Sequence, residues 1–414
     1  MSEHVEIGAP GWRRGFWSLM ATQFQTAFSD NALKNLIILL VLGSAMPVAE
    51  RDTHVALAGA LFAAPFILFS MLGGWLADRF SKPLIMGYVK LAEIGIMLFA
   101  ALALAWGRPS LELAAIFLMG CHSAVFAPSK YGVLPELLPH DRLSWGNGIL
   151  ELLTFLGIIF GIAASGFLAE TFHGRQGWSG LILAGLAVGG WVCSRGIGHL
   201  PAANPACAPR INPVTDLWAR LRLMREDRDL WRANWGNTGF FFVAALVQMN
   251  LMIYAQDVLR LGQAQNAYLN LALALGIGVG SVVAGYASRG KIEYRLVPIG
   301  AVGLALCSIP MGLAGVGLPL FVACLAGLGF SAGLFIVPIA AVLQHRPAAA
   351  DKGAVQGAAN VLSFLGILAA SGVQWVAFRT MHLGPGHVFW VCGACALLTG
   401  AYSAISRGRF IRAE

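Results

Sequence analysis

Residues 296–344 read LVPIGAVGLALCSIPMGLAGVGLPLFVACLAGLGFSAGLFIVPIAAVLQ, and none of them is charged. A helix that crosses a bilayer needs about 20 mostly apolar residues, so this run is long enough for two crossings. The glycine-rich segment 312–317 is where the turn between them belongs. The rest of the chain has the same character. Of its 414 residues 57% are apolar and 12% charged, with mean hydropathy +0.71, whereas an ordinary soluble domain carries about 25% charged residues. That deficit excludes a soluble enzyme, a disordered protein and a nucleic-acid binder, despite the net charge of +8. The 50 glycines follow no collagen-like period and suit close helix packing in lipid.

Outward from that run, the apolar stretches number twelve: 16–42, 54–77, 83–106, 111–131, 144–169 and 178–200, then 233–256, 267–288, 296–314, 318–344, 353–378 and 387–406. Between the two sets, 201–232 is proline-dotted, then basic and partly helical in character. The segment before Arg13 and Arg14, with Glu3 and Glu6, has no apolar core and does not read as a cleavable signal peptide. Counting Lys and Arg in alternate loops places 20 on one side and five on the other, with Lys34, Lys90 and Lys130 left inside the membrane. Cytoplasmic loops carry the basic excess. Both termini and the 201–232 loop are therefore expected in the cytoplasm, and an even number of spans follows. The seven cysteines show no disulfide framework or zinc spacing, and Cys392 with Cys395 reads as small residues facing a neighbouring helix.

The chain repeats at an offset near 210. Thr154-Phe155-Leu156-Gly157-Ile158 matches Ser363-Phe364-Leu365-Gly366-Ile367, with Gly148 over Gly357 and Glu151 over Asn360. Pro128 precedes Pro338 by 210 residues, and Asp141-Arg142 precedes Asp351-Lys352 by the same interval. Gly74, Asp78-Arg79 and Lys82 answer loosely to Gly285, Arg289 and Lys291. The expectation is an all-α polytopic membrane protein of twelve transmembrane helices in two six-helix repeats, 1–200 and 233–414, joined by the basic linker 201–232. Duplicated halves around a midplane site are a transporter architecture.

Gly74-Trp75-Leu76-Ala77-Asp78-Arg79-Phe80-Ser81-Lys82, between the second and third spans, resembles the signature loop of the major facilitator superfamily. Three further segments resemble that superfamily's bacterial lysophospholipid transporters, including the version fused to an acyltransferase. They are Ala27-Phe28-Ser29-Asp30-Asn31-Ala32-Leu33-Lys34, Ala127-Pro128-Ser129-Lys130-Tyr131-Gly132-Val133-Leu134-Pro135-Glu136-Leu137, and Gly146-Asn147-Gly148-Ile149-Leu150-Glu151. The resemblance covers essentially the whole chain. It implies the major facilitator fold, a lysophospholipid such as lysophosphatidylethanolamine as cargo, flipping across the bacterial inner membrane by alternating access, and a cytoplasmic acyltransferase/acyl-carrier-protein synthetase as a partner. No cofactor, metal or nucleic acid is implied. Stand-alone members place a cation in the middle of the seventh span, where residues 237–256 offer only Gln248 and Asn250 as large polar groups.

Ionisable groups at mid-membrane are costly and are functional candidates by default. Asp30 and Lys34 share a helical face that Asn31 flanks. Lys130, beside Tyr131, follows Pro128, where a helix is expected to bend or end. Glu151 stands on a span that lines the cavity in this fold, and Asn147 is one turn before it. From the second half come only neutral groups at matching depth: Gln248, Asn250, Gln356 and Asn360. These eleven residues form the expected substrate site. Lys34 and Lys130 would meet the phosphate, Asp30 and Glu151 a cationic amine, and Phe24, Phe28, Phe240, Phe241 and Phe242 are available to the acyl tail. The tail is expected toward the seventh and the tenth or eleventh spans. Lys90 with Glu93 reads as a self-neutralising pair, and His122 as a packed helix residue. Gly74, Asp78, Arg79, Lys82 and Lys352 are the expected gating residues, with Asp78 approaching the eleventh span near Lys352 and Gly353.

Two alternatives stand beside this reading. A proton-coupled antiporter of drugs or small metabolites would use Asp30 or Glu151 as its protonation site. A membrane acyltransferase needs His and Asp separated by four residues, a pattern this sequence lacks. Only eight residues follow Ser406, so no acyltransferase domain is expected. HExxH is absent too, and the stretch 285–291 fails as a Walker loop at Ile292. Gly329-Phe330-Ser331-Ala332-Gly333 matches GxSxG but lies inside the tenth span, not on a strand-to-helix elbow.

Overall fold

The computed structural model describes residues 11–208 and 212–404, the side chains of 263–267 and 404 apart. Arg210, Arg407, Arg409 and Arg412 of the basic count, and Glu3 and Glu6, lie outside the described residues. The described chain is helical, without strands. In order the helices are α1 (Trp12–Leu42), α2 (Val48–Arg79), α3 (Lys82–Trp106), α4 (Pro109–Leu137), α5 (Leu143–Thr171), α6 (Gly177–Arg195), α7 (Pro213–Glu226), α8 (Arg228–Asp257), α9 (Gln263–Ala287), α10 (Leu296–Met311), α11 (Leu318–His345), α12 (Lys352–Arg379) and α13 (Pro385–Ala404). Helix α7 lies in the basic linker; the other twelve are the expected spans. Among the described residues, nine helices are long and apolar enough to cross a membrane, and α10 is a shorter apolar helix.

Local signals explain the breaks. Ser81 and Pro83 open α3, proline fitting the first turn because its missing N–H needs no partner there. Gly107 closes α3 at φ 58°, where an L side chain is strained. Asp227 caps α8 by accepting from the backbone N–H groups of Asp229 and Leu230 at 3.0 and 3.2 Å. The uncharged run breaks where expected: α10 stops at Met311 and α11 starts at Leu318. Of the bend or end expected at Pro128, the end does not occur: helix α4 continues through Pro128 and Pro135 to Leu137, and Lys130 is 7% exposed.

The chain divides into two units. One takes in the described residues of Met1–Leu138, Leu156–Arg220 and Ala348–Val361; the other takes in those of Pro139–Phe155, Leu221–Pro347 and Leu362–Glu414. Each unit thus holds most of one sequence half plus the opening turns of the other half's fifth helix, α12 or α5. The sequence repeat reappears as packing. In the first unit a Cβ on Gly157 of α5 would lie 2.6 Å from the Phe24 carbonyl of α1. In the second, a Cβ on its repeat partner Gly366 of α12 would lie 2.9 Å from the Thr238 carbonyl of α8. Likewise Gly148 packs on Ser281 of α9, and Gly357 packs on Ser70 of α2. Small residues let these backbones approach. Gly157→Leu is therefore expected to destabilise the first unit by about 1–3 kcal/mol through overpacking. Gly166→Ala, with open space around it, should leave the melting curve unchanged. Equal thermal unfolding of the two variants in detergent would refute this account.

Candidate functional site

The first unit carries a buried polar cluster built from α1, α3 and α4. Asp30 of α1 is half-buried, and the Ser123 hydroxyl of α4 donates to its carboxylate, 2.8 and 2.7 Å from the two oxygens. Beside Ser123, the His122 Nδ1 lies 3.3 Å from the same hydroxyl. The other ring nitrogen, Nε2, is 3.2 Å from Glu93 Oε2 of α3, off the line of a good hydrogen bond. Glu93 pairs with Lys90 one turn earlier, both side chains fully buried. Lys90 also donates to Gln25 Oε1 and to Thr26 Oγ1 of α1, the latter at 3.1 Å. The Gln25 amide in turn donates to Ser29 Oγ at 2.7 Å and to Glu93 Oε1 at 2.9 Å. Such a buried ion pair persists because its remaining polar atoms are satisfied.

Lys34 does not pair with Asp30 within 4.0 Å; its ammonium stands 4.9 Å over the Phe62 ring of α2. The Asn31 amide donates to its own helix at Ala27, 2.9 Å away, and that residue faces Gly161 of α5. Farther along α4, Lys130 lies 4.3 Å over the Tyr131 ring. On the side of α1 that meets α5, an apolar trough is lined by Phe24, Phe28, Phe160, Ala163, Ala164 and Phe167. Phe24 stacks on Phe28 at 6.5 Å and meets Phe160 edge-on at 6.2 Å. The trough lies in the first half of the chain, whereas the tail was expected toward spans of the second half.

The signature loop forms a clasp within the same unit. Gly353 and Ala354, at the first turn of α12, donate their N–H groups to the Asp78 oxygens at 2.6 and 2.9 Å, and Asp78 is fully buried. The helix N-terminus favours that negative charge. Gly74 is small for the same contact: a Cβ there would sit 2.6 Å from the Gly353 carbonyl. Arg79 donates to the Cys207 carbonyl at 2.8 Å, and Lys82 pairs with Glu136 at 2.5 Å. Lys352 is within electrostatic reach of Glu136 and Lys82. Arg220 of α7 donates to Asp351 at 2.7 Å, tying the linker helix to this end. Asn360 donates to Ser70 Oγ at 2.7 Å, and Gln356, four residues earlier, is buried.

In the second unit, Asn147 and Gln344 exchange a reciprocal amide pair at 2.9 and 2.8 Å. Ser144 donates to the Lys291 carbonyl at 3.0 Å. So the repeat of the Asp78 loop binds through a backbone carbonyl instead of a carboxylate. Glu151 is half-buried on α5, Gln248 is exposed, and Asn250 is buried, donating to the Pro385 carbonyl at 2.9 Å. Phe240 is core, stacked on Phe335 at 6.0 Å. Ser331 donates to the Gly327 carbonyl inside α11 at 2.8 Å, and Gly329 and Gly333 pack against α9, so the GxSxG motif serves helix packing.

Arg346 closes the second unit's clasp on Asp227, donating to its oxygens at 2.8 and 2.7 Å. Burial pushes the Asp227 carboxyl up, but Arg346 and the α8 N–H groups outweigh it and hold the group below the usual carboxylate range. A depressed carboxyl stabilises the folded form above its ordinary pKa, and that contribution is lost as pH falls through the folded value. Hydrogen exchange at Asp229 and Leu230 should accelerate, beyond its intrinsic pH trend, only in acid below the ordinary carboxylate range. Asp227→Asn should show no such acid step; an unchanged acid step in that variant would dismiss the clasp.

Asp30 was legible from its charge alone, but Ser123, Gln25 and Ser70 were not expected. The available signal was weak: a Ser beside a His in the apolar α4, and a Gln one turn before Ser29.

A family model described as Major Facilitator Superfamily matches residues 20–371. The lysophospholipid transporter LplT of Klebsiella pneumoniae is 31% identical over 419 aligned residues, covering 97% of this chain and 99% of that protein. Its counterpart from Salmonella newport is 30% identical, with 84% and 83% covered. The crystal structure of the human organic anion transporter MFSD10 superposes with a TM-score of 0.79 at 16% identity, over 95% of this chain and all of that one. These relatives are transporters.

Proposed function

Because the chain belongs to the Major Facilitator Superfamily, we propose that this multi-pass membrane protein moves lysophospholipids, lysophosphatidylethanolamine among them, across the bacterial inner membrane by alternating access. One observation carries the cargo assignment. The relatives named lysophospholipid transporter match at 30–31% identity over most of the chain, and helix α1 carries both the polar Asp30, Asn31 and Lys34 and the aromatic Phe24 and Phe28 of the apolar trough. The ammonium of Lys34 serves the phosphate, with Lys130 one helix away, and Asp30 serves an ethanolamine amine. Tyr131, Gln356 and Asn360 of the same unit complete the site we assign. The basic side, with both termini and the 201–232 linker, faces the cytoplasm, where an acyltransferase/acyl-carrier-protein synthetase would receive the product. Gly74, Asp78, Arg79, Lys82 and Lys352 form the gate on that side.

Uptake of labelled lysophosphatidylethanolamine into proteoliposomes tests the reading. Lys130→Ala should weaken uptake of every phosphate-bearing lysolipid alike, by about 1.5–3 kcal/mol, roughly tenfold or more, for a lost hydrogen bond to charge. Head-group-selective loss would reassign Lys130. If amphiphilic cations compete and lysolipids do not, the protein is the antiporter of drugs or small metabolites that Asp30 would also suit.

A further inference from the structure

We propose that Asp30, Ser123, His122 and Glu93 form a proton-binding relay inside the first unit, so that the protein takes up a proton between α1, α3 and α4 during its cycle. Lys90 and Lys34 carry +1 each and Glu93 and Asp30 −1 each, so a neutral His122 leaves no net charge, and the case for a proton on His122 rests on the hydrogen bonds.

With His122 neutral and its Nε2 protonated toward Glu93, Nδ1 offers a lone pair to Ser123 Oγ. That hydroxyl has one hydrogen, already committed to Asp30, so the 3.3 Å contact sets lone pair against lone pair. A second proton on His122 repairs it: Nδ1–H donates to Ser123, Ser123 donates to Asp30, and the imidazolium faces the Glu93 carboxylate. The proton then moves without leaving a gap. The Nδ1–H bond breaks as a new bond forms to Ser123 Oγ, while the Ser123 proton passes to an Asp30 oxygen. The products are a neutral imidazole and a neutral carboxylic acid, with Ser123 reset and its hydroxyl turned toward Nδ1. Asp30 is the half-buried end, and Glu93 and Lys90 are the fully buried end. The other charged or titratable groups facing the cluster are Lys34 from α1 and Cys193 from α6.

The test needs no lipid, so it stands or falls apart from the cargo. The full chain is reconstituted into liposomes on a solid-supported membrane. It is then jumped from about pH 8 to about pH 6. The wild-type protein should give a transient charge displacement. His122→Gln should reduce the charge moved at least about tenfold, and Ser123→Ala, which keeps every charge but cuts the path, should slow the transient about tenfold. Glu112→Gln, a buried carboxylate of α4 outside the cluster, should behave as wild type. No transient in the wild type, a full and fast transient in both cluster variants, or its loss in Glu112→Gln would each overturn the proposal. Should His122→Gln fail to fold, the rate in Ser123→Ala decides.

Discussion

Asp78→Ala is expected to abolish transport and to leave α12 unlatched. The carboxylate accepts two backbone N–H groups of a helix N-terminus at 2.6 and 2.9 Å while fully buried. Hydrogen bonds to a charged group contribute about 1.5–3 kcal/mol each, and the helix end adds up to about 1 kcal/mol more. Removing the side chain also leaves the Gly353 and Ala354 N–H groups without their acceptor. A loss of about 3 kcal/mol shifts a two-state equilibrium by a factor of about 100, enough to depopulate the clasped state of the proposed alternating-access cycle. Asp78→Asn keeps the shape but turns an amide toward two donors, so it should be nearly as damaging. The measurement is reaction of Ala354→Cys, in a chain whose seven native cysteines are replaced, with a water-soluble maleimide. Ala354 is fully buried, so the thiol should be protected with Asp78 present and exposed with Asp78→Ala. Protection in both backgrounds would show that the clasp does not hold the first turn of α12.

The clasp could be anticipated because the loop 74–82 resembles the signature loop of the superfamily, whose aspartate is the usual participant in such a contact. The fold was legible too. An uncharged run of residues can hide only in lipid, and the repeat at offset 209 predicts equivalent contacts, which Gly157 with Gly366 and Gly148 with Gly357 then make. The polar cluster was not legible. Its bonds join residues 68 and 93 positions apart in sequence, and each member has an innocent reading alone. Gln25 and Ser123 are ordinary polar residues on apolar helices; Lys90 with Glu93 satisfies itself at i, i+3. Only the packing of α1, α3 and α4 makes one network of them. That α4 continues past Pro128 has a physical reason. Proline usually ends a helix in water, but the lost backbone bond is tolerated where neighbouring helices resupply partners, and Ala127, Pro128 and Ser129 are all buried.

That network makes the second large effect predictable. Lys90→Met should destabilise the protein by about 3–5 kcal/mol, the cost of stranding one member of a buried ion pair. Glu93 would keep its contacts to Gln25 and His122, but it would lose the ammonium with which it forms its buried ion pair. Adding Glu93→Gln removes that stranded charge while leaving a carbonyl for Gln25 and an amide of the same volume. The double variant Lys90→Met with Glu93→Gln should therefore recover most of the lost stability, read as survival of the monodisperse protein after a heat step in detergent. A merely structural pair would recover transport along with stability. A relay would not, because the imidazolium of His122 would have lost the carboxylate that balances it, and the pH-jump transient should stay suppressed in a protein that is folded again. A double variant less stable than Lys90→Met alone would mean that Lys90 and Glu93 are not the pair that holds these three helices together.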